Sequence, residues 1–359
     1  IVFIGKVLLI MALKLKLPIL GLVKNTVFKH FCGGETIKEA KRKIQDLGQN
    51  NIKTILDYSI EGKNDQYILQ QTHNEINAVL EECRQNSLLP FCVFKMTGIA
   101  RFELLKKINS NEILSNKEQE EFAIVKSRLH QICAKAKKTK VPILIDAEES
   151  WIQNTIDQLA EDMMKNYNQD SVIVYNTVQL YRWDKLKYIK ELHKKAQKTK
   201  YKLGLKLVRG AYMEKERKRA KNKNYKSPIH INKQECDNDY NTASKYCINN
   251  INDISICFGT HNEESTKIAI DLMEKKNIAN SDPRIYFSQL LGMSDNISFQ
   301  LGFFKYNVAK YVPYGPVKEV LPYLIRRAEE NSSISGQTNR EIKRIKAAIK
   351  NTKNNLDND

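Results

Sequence analysis

The chain has 359 residues, of which 42% are hydrophobic, and this suits one large barrel domain or two ordinary domains. Its 59 Lys and Arg outnumber its 41 Asp and Glu, and the formal charge of +18 favours anionic partners: nucleic acid, anionic lipid or a phosphate-bearing cofactor. The seven cysteines stand singly, without C-x-x-C pairs or zinc-ligand spacing, which argues against a disulfide framework or a zinc site and indicates a reducing compartment.

The first twenty residues, IVFIGKVLLIMALKLKLPIL, are apolar but are interrupted by three lysines and Pro18. The uninterrupted run is too short to cross a bilayer, so the pattern favours an amphipathic helix that packs on the domain or lies at a membrane surface. We expect residues 1–50 to form a helical arm. Because the sequence opens on Ile1, no targeting signal can be read from it.

From about residue 51, short β-rich runs alternate with longer amphipathic stretches. Eight strands, each followed by a helix, predict a (β/α)8 barrel with a parallel sheet. No G-x-G-x-x-G turn occurs, which counts against the competing doubly wound fold. We predict the barrel over residues 51–335, then a basic helix and polar tail at 336–359. The eight runs are TILDYS (54–59), FCVFKM (91–96), PILIDAE (142–148), SVIVYNTVQLY (171–181), YKLGLKLVRGAY (201–212), ISICFGTHN (254–262), RIYFSQLLG (284–292) and VAKYVPYG (308–315).

These runs end in or carry polar residues at the C-terminal strand ends, where a barrel gathers its functional groups. Singly, each has a simpler explanation, such as a helix cap at Asp146 or a satisfied core histidine at His261. Their coincidence at one rim indicates a site. The set offers cations and amides but no metal constellation and no nucleophile–base pair, so it suits a phosphate-bearing cofactor. The set is Lys95, Asp146, Glu148, Glu149, Asn176, Gln179, Lys206, Arg209, Tyr212, Thr260, His261, Asn262, Gln289, Tyr311 and Tyr314.

The last helical pattern, from Val317, carries two adjacent arginines, Arg326 and Arg327, followed by Glu329 and Glu330. Neighbours on a helix point about 100° apart, so the two arginines converge only on something broad enough for two cations. They form either a solvated face or a clamp for an anion.

Six motifs occur in one order between Phe91 and Ser333, and FKHFCGGET with TILDYSIEG extends them towards the N-terminus. Together they resemble proline dehydrogenase in its monofunctional form, the flavin-dependent enzyme that oxidises L-proline to Δ1-pyrroline-5-carboxylate. The resemblance implies a distorted barrel whose last helix lies over the strand mouths. It also implies FAD, hydride transfer from proline C5 to flavin N5, and a membrane quinone as electron acceptor. The motifs are IDAEES, VYNTVQLY, KLVRGAYMEKER, FGTHNEES, FSQLLGMSD and KYVPYGPVKEVLPYLIRRAEENSS.

The resemblance also implies roles for individual residues. Asp146 belongs to the catalytic charge network and Lys206 lies near flavin N5, although some relatives read RLVKG where this chain reads KLVRG. The residues expected to bind the substrate are Lys95, Arg326 and Arg327 at its carboxylate, Tyr311 over its ring, Leu290 closing the pocket, and Glu330 steadying the arginines. The residues expected to bind FAD are Ala147, Gln179, Lys206, Arg209, Gly210, Ala211, Thr260, His261, Asn262 and Gln289.

The basic surface and the arm suit an anionic bilayer. We expect a cytoplasmic protein or a peripheral one on an inner membrane, on the matrix side in a eukaryote, with pyrroline-5-carboxylate dehydrogenase as a partner. Two alternatives stay open. One is hydroxyproline dehydrogenase of the same family, whose members lack the tyrosine at Tyr311. The other is a basic nucleic-acid-binding protein, which the few aromatics in the basic stretches disfavour.

Overall fold

The computed structural model describes residues 20–60 and 62–333, with the backbone alone at Leu20, Leu22 and 328–333. The chain divides into two compact units, Ile1–Phe31 with Pro316–Asp359 and Cys32–Gly315. The start of the predicted arm and the predicted basic tail lie outside the described residues. The domain boundaries expected at residues 50 and 335 stay predictions, as does the position of the last helix over the strand mouths.

In the first unit, the described part is helical. It contains α1 (Leu20–Val23), a π-helical turn (Lys24–Phe28), α2 (Lys29–Phe31) and the last helix, Val317–Ser333. The last helix contacts α1 and the π-helical turn, and its apolar residues Val320 and Leu324 are buried, as their helical spacing predicts.

The unit Cys32–Gly315 contains a closed barrel of eight parallel strands in chain order, which confirms the predicted (β/α)8 fold. Each strand lies within the predicted run or begins one residue before it. Strand β1 pairs with β8 at six positions and with β2 at two. The strands are β1 (Lys53–Tyr58), β2 (Cys92–Lys95), β3 (Ile143–Asp146), β4 (Val174–Gln179), β5 (Leu203–Val208), β6 (Ile254–Gly259), β7 (Ile285–Leu290) and β8 (Val308–Tyr314).

Helices precede the barrel and separate its strands. Local sequence defines their starts: Ser115 and Glu118 form a capping box, and the side chain of Asn262 accepts the Ser265 N–H. The helices are α3 (Ile37–Gly48), α4 (Gln66–Gln85), a 3₁₀ turn (Met96–Gly98), α5 (Phe102–Asn109), α6 (Asn116–Thr139), α7 (Ser150–Tyr167), α8 (Lys185–Thr199), α9 (Met213–Asn222), α10 (Lys233–Asn249), α11 (Glu263–Lys275) and α12 (Asp295–Phe303).

Side chains alternate between two faces along each strand. On β8, Val308 and Val312 join the large core cluster shared with the helices, whereas Ala309 and Tyr311 join a second cluster inside the barrel. This alternation decides which strand residues can reach the barrel mouth. The inner cluster consists of Ile55, Phe91, Val93, Leu144, Tyr175, Ala309 and Tyr311.

No helix among the described residues is long and apolar enough to cross a membrane. All seven cysteines are buried and free. Burial raises the pKa of the thiols, for example to about 12 at Cys83, so in the folded chain they are protonated near neutral pH.

Candidate active site

Five ionisable side chains from five strands meet at the C-terminal mouth of the barrel, and we call them the mouth cluster: Asp57, Lys95, Asp146, Lys206 and Tyr311. The Lys206 ammonium donates to Oδ1 of Asp146 at 2.6 Å, and the Tyr311 hydroxyl donates to Oδ2 at 2.8 Å. The Lys95 ammonium lies 3.6 Å from a carboxylate oxygen of Asp57. Four of the five were predicted from sequence to belong to one site, and they do lie together.

The charges within the mouth cluster set its protonation states. Burial raises the pKa of Asp146, but the ammonium groups of Lys206 and Lys95 outweigh it and hold that pKa below its usual value. Burial, followed by the carboxylates of Asp146 and Asp57, raises the pKa of Tyr311 well above its usual value. At neutral pH Asp146 is therefore an anion and Tyr311 a hydrogen-bond donor.

Asp57 is the member that sequence reasoning missed. It lies within the run TILDYS, its side chain is buried, and it accepts a 2.7 Å hydrogen bond from the Ser59 hydroxyl. The signal was a single carboxylate that directly follows the apolar residues Ile55 and Leu56 near the end of β1, where a parallel barrel strand has no packing reason to contain a charge.

A second group of side chains surrounds Arg209, after β5. The guanidinium donates to Asp237 at 2.7 Å, to the Thr260 hydroxyl at 2.7 Å and to the Ser265 hydroxyl at 2.8 Å. It also lies 4.4 Å from the centre of the Tyr240 ring. Burial raises the pKa of Asp237, but the cations of Lys233 and Arg209 outweigh it and lower that pKa. The guanidinium is thus fixed in place, with donors left over because arginine has five.

The other residues predicted after β6 and β7 take part in local structure. Asn262 caps helix α11, and its backbone N–H donates to the Thr260 hydroxyl at 3.1 Å. Nδ1 of His261 lies 3.0 Å from the Ser294 hydroxyl. The side-chain amide of Gln289 donates to the Thr260 carbonyl at 3.2 Å and accepts from the Ser298 hydroxyl at 2.9 Å.

Gln179 joins the loops that follow β3 and β5. Its amide donates to the Glu148 carbonyl at 2.8 Å and accepts from the Ala211 N–H at 3.4 Å. The neighbouring Gly210 has φ of +143°, and a Cβ there would lie 2.5 Å from the Tyr181 ring. Glycine is therefore required, because a side chain fits neither the backbone angle nor the space. Ala147 is half-buried between Asp146 and Glu148.

Several of the polar strand-end residues do not face the mouth. Asn176 donates to Asp157 at 2.9 Å on the helix side of β4, and the Tyr314 hydroxyl donates to Glu75 of α4 at 2.8 Å. Three other members are buried: Glu148 accepts from the Thr97 N–H, Glu149 pairs with Lys215, and Tyr212 directly precedes α9.

The predicted carboxylate clamp belongs to the last helix, in the other compact unit. Arg327 is buried with its guanidinium 5.2 Å from the Tyr323 ring centre, and Arg326 is half-buried. The side chain of Glu330 lies outside the described residues. Leu290 is half-buried and packs against the inner cluster that contains Tyr311.

The donor set fits a flavin dinucleotide. A fixed guanidinium suits a diphosphate, whereas a primary amide and an ammonium suit the heteroatoms of a flavin ring. Arg209, Gln179 and Lys206 provide these groups at one rim, and Gly210 leaves bare backbone beside them. Within the described ranges, His, Cys, Asp and Glu form no group of three that could hold a metal ion.

Sequence comparison places these features in a family. A family model described as proline dehydrogenase matches residues 40–340. Mitochondrial proline dehydrogenase 1 of Dictyostelium discoideum is 32% identical over 384 residues, covering 94% of this chain and 67% of that protein. Mitochondrial proline dehydrogenase 2 of Arabidopsis thaliana is 32% identical, covering 91% and 78%. The carbapenem antibiotics biosynthesis protein CarD of Pectobacterium carotovorum subsp. carotovorum is 31% identical, covering 92% and 85%.

Solved structures share the fold. Proline utilization A (PutA) from Bdellovibrio bacteriovorus, inactivated by N-propargylglycine, aligns with a TM-score of 0.77 and 22% identity over 88% of this chain. A PutA mutant from Bradyrhizobium japonicum aligns with a TM-score of 0.69 and 20% identity. This chain covers about a third of those proteins, 34% and 31%. At such identities the likeness concerns the barrel fold.

Proposed function

This chain belongs to the proline dehydrogenase family, oxidoreductases that oxidise proline in the first step of its catabolism, and we propose that it does so by removing hydride from proline C5. The C=N bond then forms between the ring nitrogen and C5, and loss of the remaining N–H proton to solvent gives Δ1-pyrroline-5-carboxylate. The observation that carries the proposal is the mouth cluster, in which an ionised Asp146 lies between the Lys206 ammonium and the Tyr311 hydroxyl.

The mouth cluster supports binding of a small zwitterion. Lys95 provides a cation for the proline carboxylate, and the family resemblance assigns Arg326 and Arg327 to the same group. A charge-assisted hydrogen bond contributes about 1.5–3 kcal/mol, so two or three such bonds suffice to orient a small ligand. Tyr311 and Leu290 are the proposed contacts of the ring carbons. Tyr311 belongs to the inner cluster, and Leu290 packs against it.

The fit of the donor set supports FAD as the cofactor. Arg209 and the residues Thr260, His261 and Asn262 are proposed to hold its diphosphate side, and Gln179 with Lys206 its ring. The backbone at Ala147, Gly210 and Ala211 would lie beside it, and Gln289 would steady Thr260. FAD, when bound, supplies the hydride acceptor at N5 and returns electrons to an external acceptor, for which we propose a membrane quinone.

The substrate must arrive with a neutral amine, since an ammonium nitrogen has no lone pair to support hydride loss from C5. Tyr311 is already protonated and both oxygens of Asp146 are bonded, so neither is assigned as the base. The proton is proposed to leave to solvent before binding, which predicts that activity rises towards alkaline pH.

The cellular setting is part of the proposal. The formal charge of +18 supports peripheral contact with an anionic membrane surface, where a quinone acceptor resides. Mitochondrial relatives support a matrix-side location in a eukaryotic source. A separate pyrroline-5-carboxylate dehydrogenase is proposed to receive the product. Nucleic acid is not proposed as a partner, because the family match accounts for most of the chain.

The test uses the purified chain with its bound cofactor. The protein is expected to be yellow, with a flavin absorption spectrum that L-proline bleaches in the absence of oxygen. Cyclopentanecarboxylate, a ring carboxylate without the amine, should bind without bleaching. A colourless protein that takes up no FAD, or a yellow one whose spectrum proline leaves unchanged, would contradict the proposal.

A further inference from the structure

Lys310 occupies a position in β8 where an apolar residue is expected. It lies between Val308 and Val312 in the helix-facing register of the strand, and its side chain is 1% exposed. A buried ammonium is costly unless polar groups surround it. Its partners therefore indicate what it stabilises.

Those partners lie within residues 290–295, from the last residue of β7 to the first residue of α12. The Lys310 ammonium donates to the Met293 carbonyl at 2.6 Å and to the Leu290 carbonyl at 3.4 Å, and it lies 2.7 Å from a carboxylate oxygen of Asp295. One cation thus contacts Leu290 at the start of this segment, Met293 near its end and Asp295 in the first turn of α12.

The loop, residues 290–294, needs such support. Gly292 and Ser294 have φ of +75° and +51°, a left-handed region that serine seldom adopts. The loop also borders the proposed site on two sides. Leu290 packs against the inner cluster with Tyr311, and the Ser294 hydroxyl lies 3.0 Å from Nδ1 of His261.

We propose that Lys310 is a positioning residue: it fixes the position of Leu290 relative to Tyr311 and so determines the affinity of the site for a five-membered ring. Lys310 acts through the loop and does not touch the substrate. The inference rests on the proposed function, because it needs the ring-binding site to exist.

The experiment compares Lys310→Met with a matched control, Lys53→Met. Lys53 is a half-buried lysine at the opposite end of the barrel, where its ammonium donates to the Tyr286 hydroxyl at 3.0 Å. Calorimetry on the flavin-loaded proteins measures the affinity for cyclopentanecarboxylate, which has the ring, and for acetate, which has the carboxylate alone. The two ligands separate ring fit from carboxylate binding.

In Lys310→Met, the affinity for cyclopentanecarboxylate is expected to fall at least about tenfold, since small misplacements of positioning groups have large effects. Acetate binding should stay within about twofold, and Lys53→Met should bind both ligands like the wild type. Equal loss for both ligands, or a folded Lys310→Met protein with unchanged ring affinity, would overturn the proposal.

If Lys310→Met does not fold, Lys310→Arg decides the question. The wider guanidinium keeps the charge but cannot occupy the same point between the two carbonyls, so the ring affinity should fall about threefold or more. Unchanged ring affinity in this variant would overturn the proposal. If the wild-type protein binds neither ligand, the proposed function itself fails, and that result is distinct from a wild-type protein that binds both.

Discussion

One buried lysine–aspartate pair lies inside the barrel, and a second lies outside it, between the strands and the surrounding helices. Lys206 and Asp146 are 2.6 Å apart inside the mouth, and Lys185 and Asp157 are 2.5 Å apart between the wall and helices α7 and α8. All four side chains are buried. Distance and burial therefore do not distinguish the pair that we assign to catalysis from the one that we do not.

The surroundings distinguish them. Around Asp157 the further hydrogen-bond donors are amides, Gln153 at 2.8 Å and Asn176 at 2.9 Å to the oxygen that Lys185 does not bind, and the Arg182 charge also acts on this carboxylate. Around Asp146 the further donors are hydroxyls, Tyr311 at 2.8 Å and Thr177 at 3.4 Å, and the Lys95 charge also acts on this carboxylate. Both carboxylates thus have a second cation nearby, and what distinguishes Asp146 is that its tyrosine and lysine neighbours belong to the barrel mouth.

The largest expected effect is the loss of stability when the Lys185–Asp157 pair is broken. Lys185→Met leaves the Asp157 carboxylate buried without its cation, so the free energy of unfolding should fall by about 3–5 kcal/mol. Because the pair faces the helices, the protein that remains folded should keep the wild-type KM for proline. Denaturant unfolding and steady-state kinetics measure the two quantities. A KM raised tenfold would contradict the structural assignment of this pair.

The corresponding change inside the mouth is Lys206→Met. Removing a preorganised donor from an active site lowers kcat by about 10²–10³-fold, and we expect a loss of that size in kcat/KM for proline. Stability falls as well, so rates are normalised to the folded, flavin-containing fraction. If kcat/KM stays within threefold of the wild type, the two pairs do not differ as we propose.

Arg326→Ala tests whether a cation outside the mouth cluster also binds the proline carboxylate. Loss of one charge-assisted bond to the proline carboxylate should raise KM about ten- to hundredfold. Lys318→Ala, at the start of the same helix, serves as the control. An unchanged KM in Arg326→Ala would end the clamp assignment.

Tyr311→Ser tests the ring contact. The smaller side chain should admit a 4-hydroxyl group, so that the ratio of kcat/KM for proline over hydroxyproline falls about tenfold. Kinetics with both substrates give the ratio. If it does not change, Tyr311 does not determine the specificity.

The smallest expected effect is on the pH profile. The lowered pKa of Asp146 and the raised pKa of Tyr311 keep both groups from titrating near neutrality, so kcat/KM should rise with pH as the substrate amine deprotonates. In Lys206→Met the pKa of Asp146 rises, and a second acid limb should move towards neutral pH. The ionised Asp146 also stabilises the fold above its unfolded pKa of about 4, and this contribution is lost on acidification. Identical profiles for the two proteins would contradict this account.

The sequence predicted the eight strands and the rim that contains the mouth cluster, but not which strand-end residues share a face. Asn176 and Gln179 on β4, like Tyr311 and Tyr314 on β8, are three residues apart, so an alternating strand sends the members of each pair to opposite faces. Both faces of a barrel strand are buried, so apolar patterning does not reveal which member points inward.

Asp57 and Lys310 were missed for a different reason. Each is a charged residue next to apolar strand residues, and its partners come from distant parts of the sequence: Lys95 and Tyr311 for Asp57, and the loop 290–294 for Lys310. Local patterns contain no information on such pairings. The roles of the site residues rest on the family resemblance and stay predictions.

The short pairing between β1 and β2 has a mechanical consequence. Those strands are in register at two positions, against six between β1 and β8, and the Asp57–Lys95 ion pair spans the same junction. The Asp57–Lys95 ion pair thus helps to hold β1 and β2 together. The Lys95 ammonium of this pair is also the cation that an incoming carboxylate would bind. The substrate would therefore bind beside β1 and β2, which are paired at only two positions.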